Sequence, residues 1–220
     1  MGKLLNIITP LHKQAKRDYL ARMNDDKAYC IKIAKQYGRD FWDGDRRYGY
    51  GGYKYDGRWS AVAKQLIDFY RLEGKVRILD VGCGKGFLLY ELKKLLPESS
   101  VCGFDISEYA INNAKEEIRS NLFIHNAKDK FFFKDKEFDL VLSLTTLYNI
   151  PLPGLKLALA EVERVGKNKY ITLESYRNES ELFNLQCWAL TCQTFLSLDD
   201  WVWLFKEFGY SGDYEFIYFE

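Results

Sequence analysis

From Val76 onward the chain changes its hydrophobic period again and again, and this alternation limits its fold more than any single residue does. Short apolar runs ("VRILDVG", "SVCGFDIS", "LFIHNA", "FDLVLSLTTL", "KYITLES") are separated by amphipathic stretches ("FLLYELKKLL", "EYAINNAKEEIRS", "LKLALAEVERV"). Runs that are apolar throughout suit strands buried on both faces, and amphipathic spacers suit the helices that cover them. Together they predict βαβ units, and so an open, doubly wound α/β fold with a mostly parallel sheet. In such a sheet ligands bind beyond the carboxyl ends of the strands, at the point where the strand order reverses.

The carboxyl end is more aromatic and less periodic. "LDDWVWLFKEFGY" predicts a helix with Ser197 as N-cap and Gly209 as its stop, and "DYEFIYF" a closing strand. With Cys187 to Phe195 as a further possible strand, an antiparallel C-terminal edge is expected. Upstream, "DKAYCIKIAKQYG" reads as a helix ending at Gly38, and "SAVAKQLIDFYRLEG" as one starting at Ser60 and stopping before Gly74. The glycine- and tyrosine-rich "FWDGDRRYGYGGYKYDGRW" therefore joins two helices.

The totals fit one domain. The chain has 220 residues, 47% of them hydrophobic and 16% aromatic, enough for a sizeable core without staples. No repeat or linker is visible, so residues 1–220 are expected to form a single domain, with helices and a Gly/Tyr-rich cap in 1–70 and an α/β core in 71–220. Lys plus Arg number 32 against 31 acids, a formal charge of +1, which argues against a dedicated nucleic-acid binder. The five cysteines form no CxxC pair, so no metal site is expected and a reducing, cytoplasmic setting fits best. The amino terminus has neither a signal-peptide core nor a membrane span; it reads as a solvated helix packed on the domain, and Asn6 stands where a myristoylation signal needs Ser or Thr.

"ILDVGCGKGFLLYEL" carries the most specific signal. A buried strand from Val76 to Val81 runs into Gly82, Gly84 and Gly86, and a helix follows at once. Glycines at that junction allow a tight turn and close approach of the backbone to a ligand. A dinucleotide loop is G-x-G-x-x-G, whereas here the order is Asp80-x-Gly82-x-Gly84-x-Gly86. The third glycine comes one position early for a nicotinamide-dependent oxidoreductase, which is the alternative enzyme class. A nucleic-acid-binding module using the Tyr/Gly/Arg stretch is the other alternative.

The loop resembles the first motif of class I S-adenosylmethionine-dependent methyltransferases, and the resemblance extends over about Val76 to Ser175. It implies a Rossmann-like methyltransferase sheet with S-adenosylmethionine as cofactor and S-adenosylhomocysteine as product. Carried over to this sequence, Asp80, Gly82, Gly84 and Gly86 cradle the cofactor, and Asp105, with Ile106 beside it, takes the ribose hydroxyls. Ala127 and Asp129 lie near the adenine, and Ser143 to Tyr148 face the reacting methyl group. The segment before the first strand commonly lids the cofactor in this family, which assigns Tyr53 and Arg58 to the cofactor. Asp45, Arg46, Arg47, Tyr48 and Tyr50 are then assigned to the acceptor. Tyr55 offers another aromatic face, while Asp43 and Asp56 can bind sugar hydroxyls or orient the arginines. The run from Asp43 to Trp59 is similar to one in small bacterial enzymes encoded among surface-polysaccharide genes. That similarity implies a small polar acceptor, such as a nucleotide-linked sugar or a phosphoryl-bearing precursor, methylated on oxygen.

Candidate proton-handling groups are few. Tyr148 follows the fourth strand and suits an orienting hydrogen bond. Glu174 ends the fifth strand and is either a second functional acid or a partner of Arg177. His12 and His125 read as satisfied, partly buried histidines. Oligomeric state is left open by the sequence.

Overall fold

The apolar runs become six strands: β1 (Arg77–Val81), β2 (Ser100–Asp105), β3 (Leu122–Ile124), β4 (Phe138–Leu144), β5 (Gly166–Glu174) and β6 (Asp213–Ile217). The structure is a computed structural model and describes residues 2–51 and 53–220. One sheet holds the strands in the order β3-β2-β1-β4-β5-β6, every neighbouring pair parallel. The order reverses between β1 and β4. Crossovers leave to opposite faces there, opening a crevice at the carboxyl ends of these two strands.

Eleven helices surround the sheet among the described residues. Five precede it: α1 (Thr9–His12), α2 (Tyr19–Asn24), α3 (Lys27–Ala34), α4 (Arg39–Asp43) and α5 (Trp59–Tyr70). The rest are α6 (Phe87–Leu95), α7 (Glu108–Asn112), α8 (Glu116–Arg119), α9 (Leu152–Val165), α10 (Glu179–Trp188) and α11 (Leu198–Glu207). Alternation along β1 feeds two cores: Ile78 packs with Leu66 of α5 and Leu89 of α6, while Leu79 and Val81 pack with Leu159 of α9 and Phe205 of α11. A smaller cluster of Cys30, Ala34, Phe41 and Leu190 sits under the N-terminal helices. None of the helices is long and apolar enough to cross a membrane.

The antiparallel C-terminal edge is not formed. β6 runs parallel to β5, from Tyr170 opposite Asp213 to Glu174 opposite Ile217, because α11 lies in the connection and returns the chain to the starting end of the sheet. Nor is Cys187 to Phe195 a strand. α10 runs through Trp188, and the backbone beyond it bonds elsewhere: Leu190 and Thr191 N–H donate to Tyr50 Oη, Gln193 and Thr194 N–H to Tyr148 O. The outer side of β6 meets residues 3–5, with Leu5 N–H donating to Tyr214 O at 2.8 Å, so the chain's own start covers that edge.

Local stop signals were partly displaced. Ser197 accepts from Asp200 N–H and Gly209 takes φ +71° after α11, as expected. Gly38, however, precedes α4 instead of ending α3, and α5 begins at Trp59, one residue before Ser60.

Candidate active site

The crevice is a cavity of about 720 Å³ at the carboxyl ends of the strands, lined on its outer side by Arg46, Tyr50, Gly51, Tyr53 and Arg58 from between α4 and α5. Its floor is the turn after β1. Gly82 (φ +80°) and Gly84 (φ +54°) occupy the left-handed region, and a Cβ on Gly84 would lie 2.8 Å from the Trp42 ring. Gly82 and Cys83 N–H both donate to Phe104 O, tying the turn to β2. Gly86 plays a different part, starting α6 against Ile118 and Leu122 without lining the cavity.

Asp105 stands at the tip of β2. Its Oδ2 accepts Gly84 N–H at 2.9 Å and its Oδ1 accepts Ser107 N–H at 2.8 Å, so the carboxylate is aimed before any ligand arrives. Asp80 is buried with Oδ1 unpartnered; burial, with Asp105 adding to it, pushes its carboxyl up to about 7. Ile106 is 52% exposed in this wall, an apolar face with no protein cover, and Ala127 lies nearby.

The cap is fastened to this floor. Lys85 pairs with Asp43 at 2.7 Å, and Tyr109 Oη donates to the same carboxylate. Trp42 Nε1–H donates to Ser107 Oγ at 2.8 Å and Tyr37 O at 3.0 Å, while its ring packs on Tyr53. Arg22 threads beneath the glycine-rich stretch and donates to Arg46 O, Arg47 O and Gly49 O. Tyr55 bonds Glu91 on α6. The stretch is an ordered cover.

The opposite wall comes from β4, β5 and the amino terminus. Thr145 (φ +53°), Thr146, Tyr148 and Asn149 follow β4, and Glu174 ends β5. Glu174 is buried with Oε2 unpartnered, and burial pushes it up to about 7 against the pull of Tyr148 and Arg17. Burial, with the charge of Glu174, raises the Tyr148 phenol well above its ordinary value, which disqualifies it as a base at neutral pH. Arg177 turns away, pairing with Glu181 and Glu220 instead of Glu174. His12 Nε2 accepts a hydrogen bond from Arg17, which has no acceptor form; burial and that cation hold the imidazole down to about 3. His125 lines the cavity among Phe104, Phe131 and Phe132 with Nε2 unpartnered.

Of the residues assigned from the sequence, the cavity gathers Asp80, Gly82, Gly84, Asp105, Ile106, Ala127, Tyr53, Arg58, Arg46, Tyr50, Tyr148 and Glu174. Six others lie elsewhere: Gly86, at the start of α6, and five more. Ser143 is fully buried and donates to Val81 O, locking β4 to β1; Asp129 is exposed beyond β3. Asp45 caps the short turn Arg46–Tyr48, Arg47 pairs with Asp25, and Tyr48 packs on Tyr29. Arg58 lines the mouth while paired with Asp56. Sequence reading missed Trp42, Arg17, Trp188 and Asn149. Trp42, Arg17 and Trp188 reach the cavity through packing against residues distant in sequence, whereas Asn149 simply extends the loop after β4 by one residue beyond Tyr148.

A parallel sheet with a glycine cradle after β1 and a buried acid at the tip of β2 defines an α/β enzyme that binds a nucleoside-containing cofactor. The methyltransferase-domain family (Methyltransf_31) matches residues 72–209, and the chain belongs to it. A putative methyltransferase, YrhH of Bacillus subtilis, is 26% identical over 132 residues, 57% of this chain and 72% of that protein. The protein-lysine N-methyltransferase EFM4 of Saccharomyces cerevisiae is 29% identical over 111 residues, 44% of this chain; the match spans about half of that protein, 48%. A match to an uncharacterized methyltransferase of Schizosaccharomyces pombe covers 36% of that protein. Among solved structures, a putative methyltransferase from the antibiotic biosynthesis pathway of Anabaena variabilis has the same fold at TM-score 0.53 and 20% identity, covering 66% of this chain and 59% of that one. The complex of the Haloferax volcanii Trm112 activator with a putative methyltransferase gives TM-score 0.52 at 18% identity, covering 71% and 77%. The family and the fold imply S-adenosylmethionine as cofactor.

Proposed function

We propose that residues 1–220 act as one S-adenosylmethionine-dependent methyltransferase domain, capped by 1–70, that methylates an oxygen of a small hydrophilic acceptor. One observation carries the reading: two buried carboxylate oxygens without partners, Asp80 Oδ1 and Glu174 Oε2, line the same cavity from opposite walls. Buried polar atoms without partners are expensive, and ligand-facing sites are where such costs are tolerated.

The floor fits the cofactor. Gly82 and Gly84 allow the left-handed turn that brings backbone to the cavity floor, where a Cβ would strike Thr146 or Trp42, Asp105 presents acceptors suited to ribose hydroxyls, Ile106 offers an apolar face to a base, and Asp80 offers an acceptor to a cationic amino group. Bound there, the cofactor supplies a methyl group on a sulfonium sulfur. The chain's own contribution is alignment, exclusion of water by the cap, and removal of a proton. Glu174 is suited to take that proton from an acceptor hydroxyl, since its carboxyl titrates near neutrality. Tyr148, neutral and buried beside it, orients the acceptor.

Relatives named for protein-lysine and tRNA substrates are among those with detectable similarity, so the acceptor class rests on the cavity. Its volume lies within the range of small-ligand sites, which favours a small acceptor. A nucleotide-linked sugar or phosphoryl-bearing precursor of a bacterial surface polysaccharide, handled in the cytoplasm, is consistent with this space and with five free cysteines. Calorimetry with S-adenosylhomocysteine and with NAD tests the reading. The homocysteine product is expected to bind and NAD not, and Asp105→Asn is expected to weaken that binding about tenfold or more. Tight NAD binding without a response to S-adenosylhomocysteine would sink the proposal.

A further inference from the structure

Three guanidinium groups converge on one indole. The central carbons of Arg17, Arg22 and Arg46 lie 5.7, 4.2 and 5.3 Å from the Trp188 ring centroid. Every hydrogen bond these side chains make goes to a neutral acceptor. Arg17 donates to Ala15 O, His12 O and His12 Nε2; Arg22 donates to the carbonyls of Arg46, Arg47 and Gly49; Arg46 donates to Lys16 O. Among the described residues, none of the three has a carboxylate within 4.0 Å. Two acids of the adjacent groove are committed elsewhere: Asp18 caps α2 and Asp25 holds Arg47.

This arrangement is costly. Arg22 is only 8% exposed, and the Nε atoms of Arg17 and Arg22 are buried without partners. Burial and repulsion from Arg46 both work against the charges of Arg17 and Arg22. Like charges crowded in a partly desolvated place without a counter-ion repel each other by more than exposed charges do. An anion relieves that cost.

Position says which anion. Arg17, Arg46 and Trp188 line the active-site cavity and also a shallower groove of about 470 Å³ beside it, so these three form the partition between the two, with Arg22 on the groove side only. Glu174 lies on the cavity side, near enough for its charge to favour the charged form of Arg17. We infer that the cluster is the phosphoryl subsite of the acceptor: a small metabolite presents its reacting hydroxyl toward Glu174 and its phosphate or diphosphate to Arg17 and Arg46, with the charge of Arg22 behind them. This inference rests on the methyl-transfer reading of the cavity. The forks of Arg17 and Arg46 offer more donors than one carboxylate can satisfy, and their planar geometry matches phosphate oxygens. A formal charge of +1 for the whole chain favours one localised phosphoryl group over a polyanion.

Calorimetric titration of the full chain with inorganic pyrophosphate and with uridine diphosphate tests the assignment, using S-adenosylhomocysteine binding as a separate reference. Arg46→Gln is the first variant, since Arg46 supports only one carbonyl; Arg17→Gln is the second. Both anions are expected to bind the unaltered chain and to bind each variant about tenfold or more weakly. S-adenosylhomocysteine affinity should stay within about twofold, which also shows that the variant is folded. Absent binding of both anions, or equal binding to Arg46→Gln, overturns the subsite. Binding of a single-stranded RNA oligomer about a hundredfold tighter than pyrophosphate, lost in the same variants, replaces it with a polyanion site. Failure of S-adenosylhomocysteine to bind the unaltered chain strikes the methyl-transfer reading instead, and the two anion titrations still report on the subsite.

Discussion

Glu174 and Asp105 are both buried acids at strand tips, yet their surroundings give them opposite work. Asp105 receives backbone N–H groups on both oxygens, which partly offset the upward push of burial and hold it as an acceptor. Glu174 has no such donors, so burial dominates and the proton stays until about pH 7. That is a base poised near neutrality. Glu174→Gln is expected to lower kcat by about a hundredfold or more and to abolish the rise of kcat with pH through about 7. S-adenosylhomocysteine binding should be unchanged. If KM for the acceptor alone rises and the pH profile keeps its shape, Glu174 orients the acceptor and another group takes the proton. Asp105 was legible in the sequence because its strand, its glycine loop and their spacing are local. Ser143 shows the limit: it too ends a strand, but a hydroxyl can face the neighbouring carbonyl, and only packing reveals that it does.

The N-terminal segment reads as a solvated helix in the sequence, and the structure makes it a wall of the active-site cavity. The reason lies more than two hundred residues away. Glu215 on β6 accepts N–H groups from Ile7 at 2.6 Å, Ile8 at 3.0 Å and Thr9 at 2.5 Å, and the Tyr170 hydroxyl at 2.5 Å. One buried carboxylate thereby starts α1 and fixes Leu11 and His12 against the cavity. No pattern near residue 7 could show this, nor that the helix before β6 would make that strand parallel. Helix signals such as Ser197 were readable because donor and acceptor sit three residues apart. Glu215→Gln keeps the shape and one acceptor oxygen but loses the charge and the second acceptor. It is expected to cost ~2 kcal/mol of stability, since hydrogen bonds to charged groups are the stronger ones. Amide exchange should accelerate first at residues 7–13, with the protection of β1 and β4 retained. Uniform loss of protection would mean that the segment is not held separately.

Over the whole molecule the buried titratable groups set a pH dependence that ordinary acid denaturation would not suggest. Asp80 and Glu174 rise from 3.8 and 4.5 to about 7, so the folded chain keeps two protons that the unfolded chain releases near pH 4. Stability from these groups is fully present below the unfolded values and is lost as pH rises through about 7. His12 acts in the other direction. Its folded value is about 3 against 6.5 unfolded, so its contribution is present above 6.5 and is lost as pH falls. Between about pH 4.5 and 6.5 one carboxyl is offset by the imidazole and the other is not; above 6.5 the imidazole no longer opposes them, but the carboxyls are by then giving up their own protons. The ligand-free chain is therefore expected to lose stability steadily from about pH 5 to 7 and to level off above about 7.5, once both carboxyls have ionised. The carboxyl of Glu174, raised from 4.5 to about 7, corresponds to ~3 kcal/mol of the total. Calorimetric melting from pH 5 to 8 should show a falling Tm, and Glu174→Gln should remove most of the fall, since His12 already offsets much of what the other carboxyl contributes. A Tm that climbs across this window would mean that water or a neighbouring cation stabilises both carboxylates in the free chain. Their poise as ligand-facing acids would then be lost.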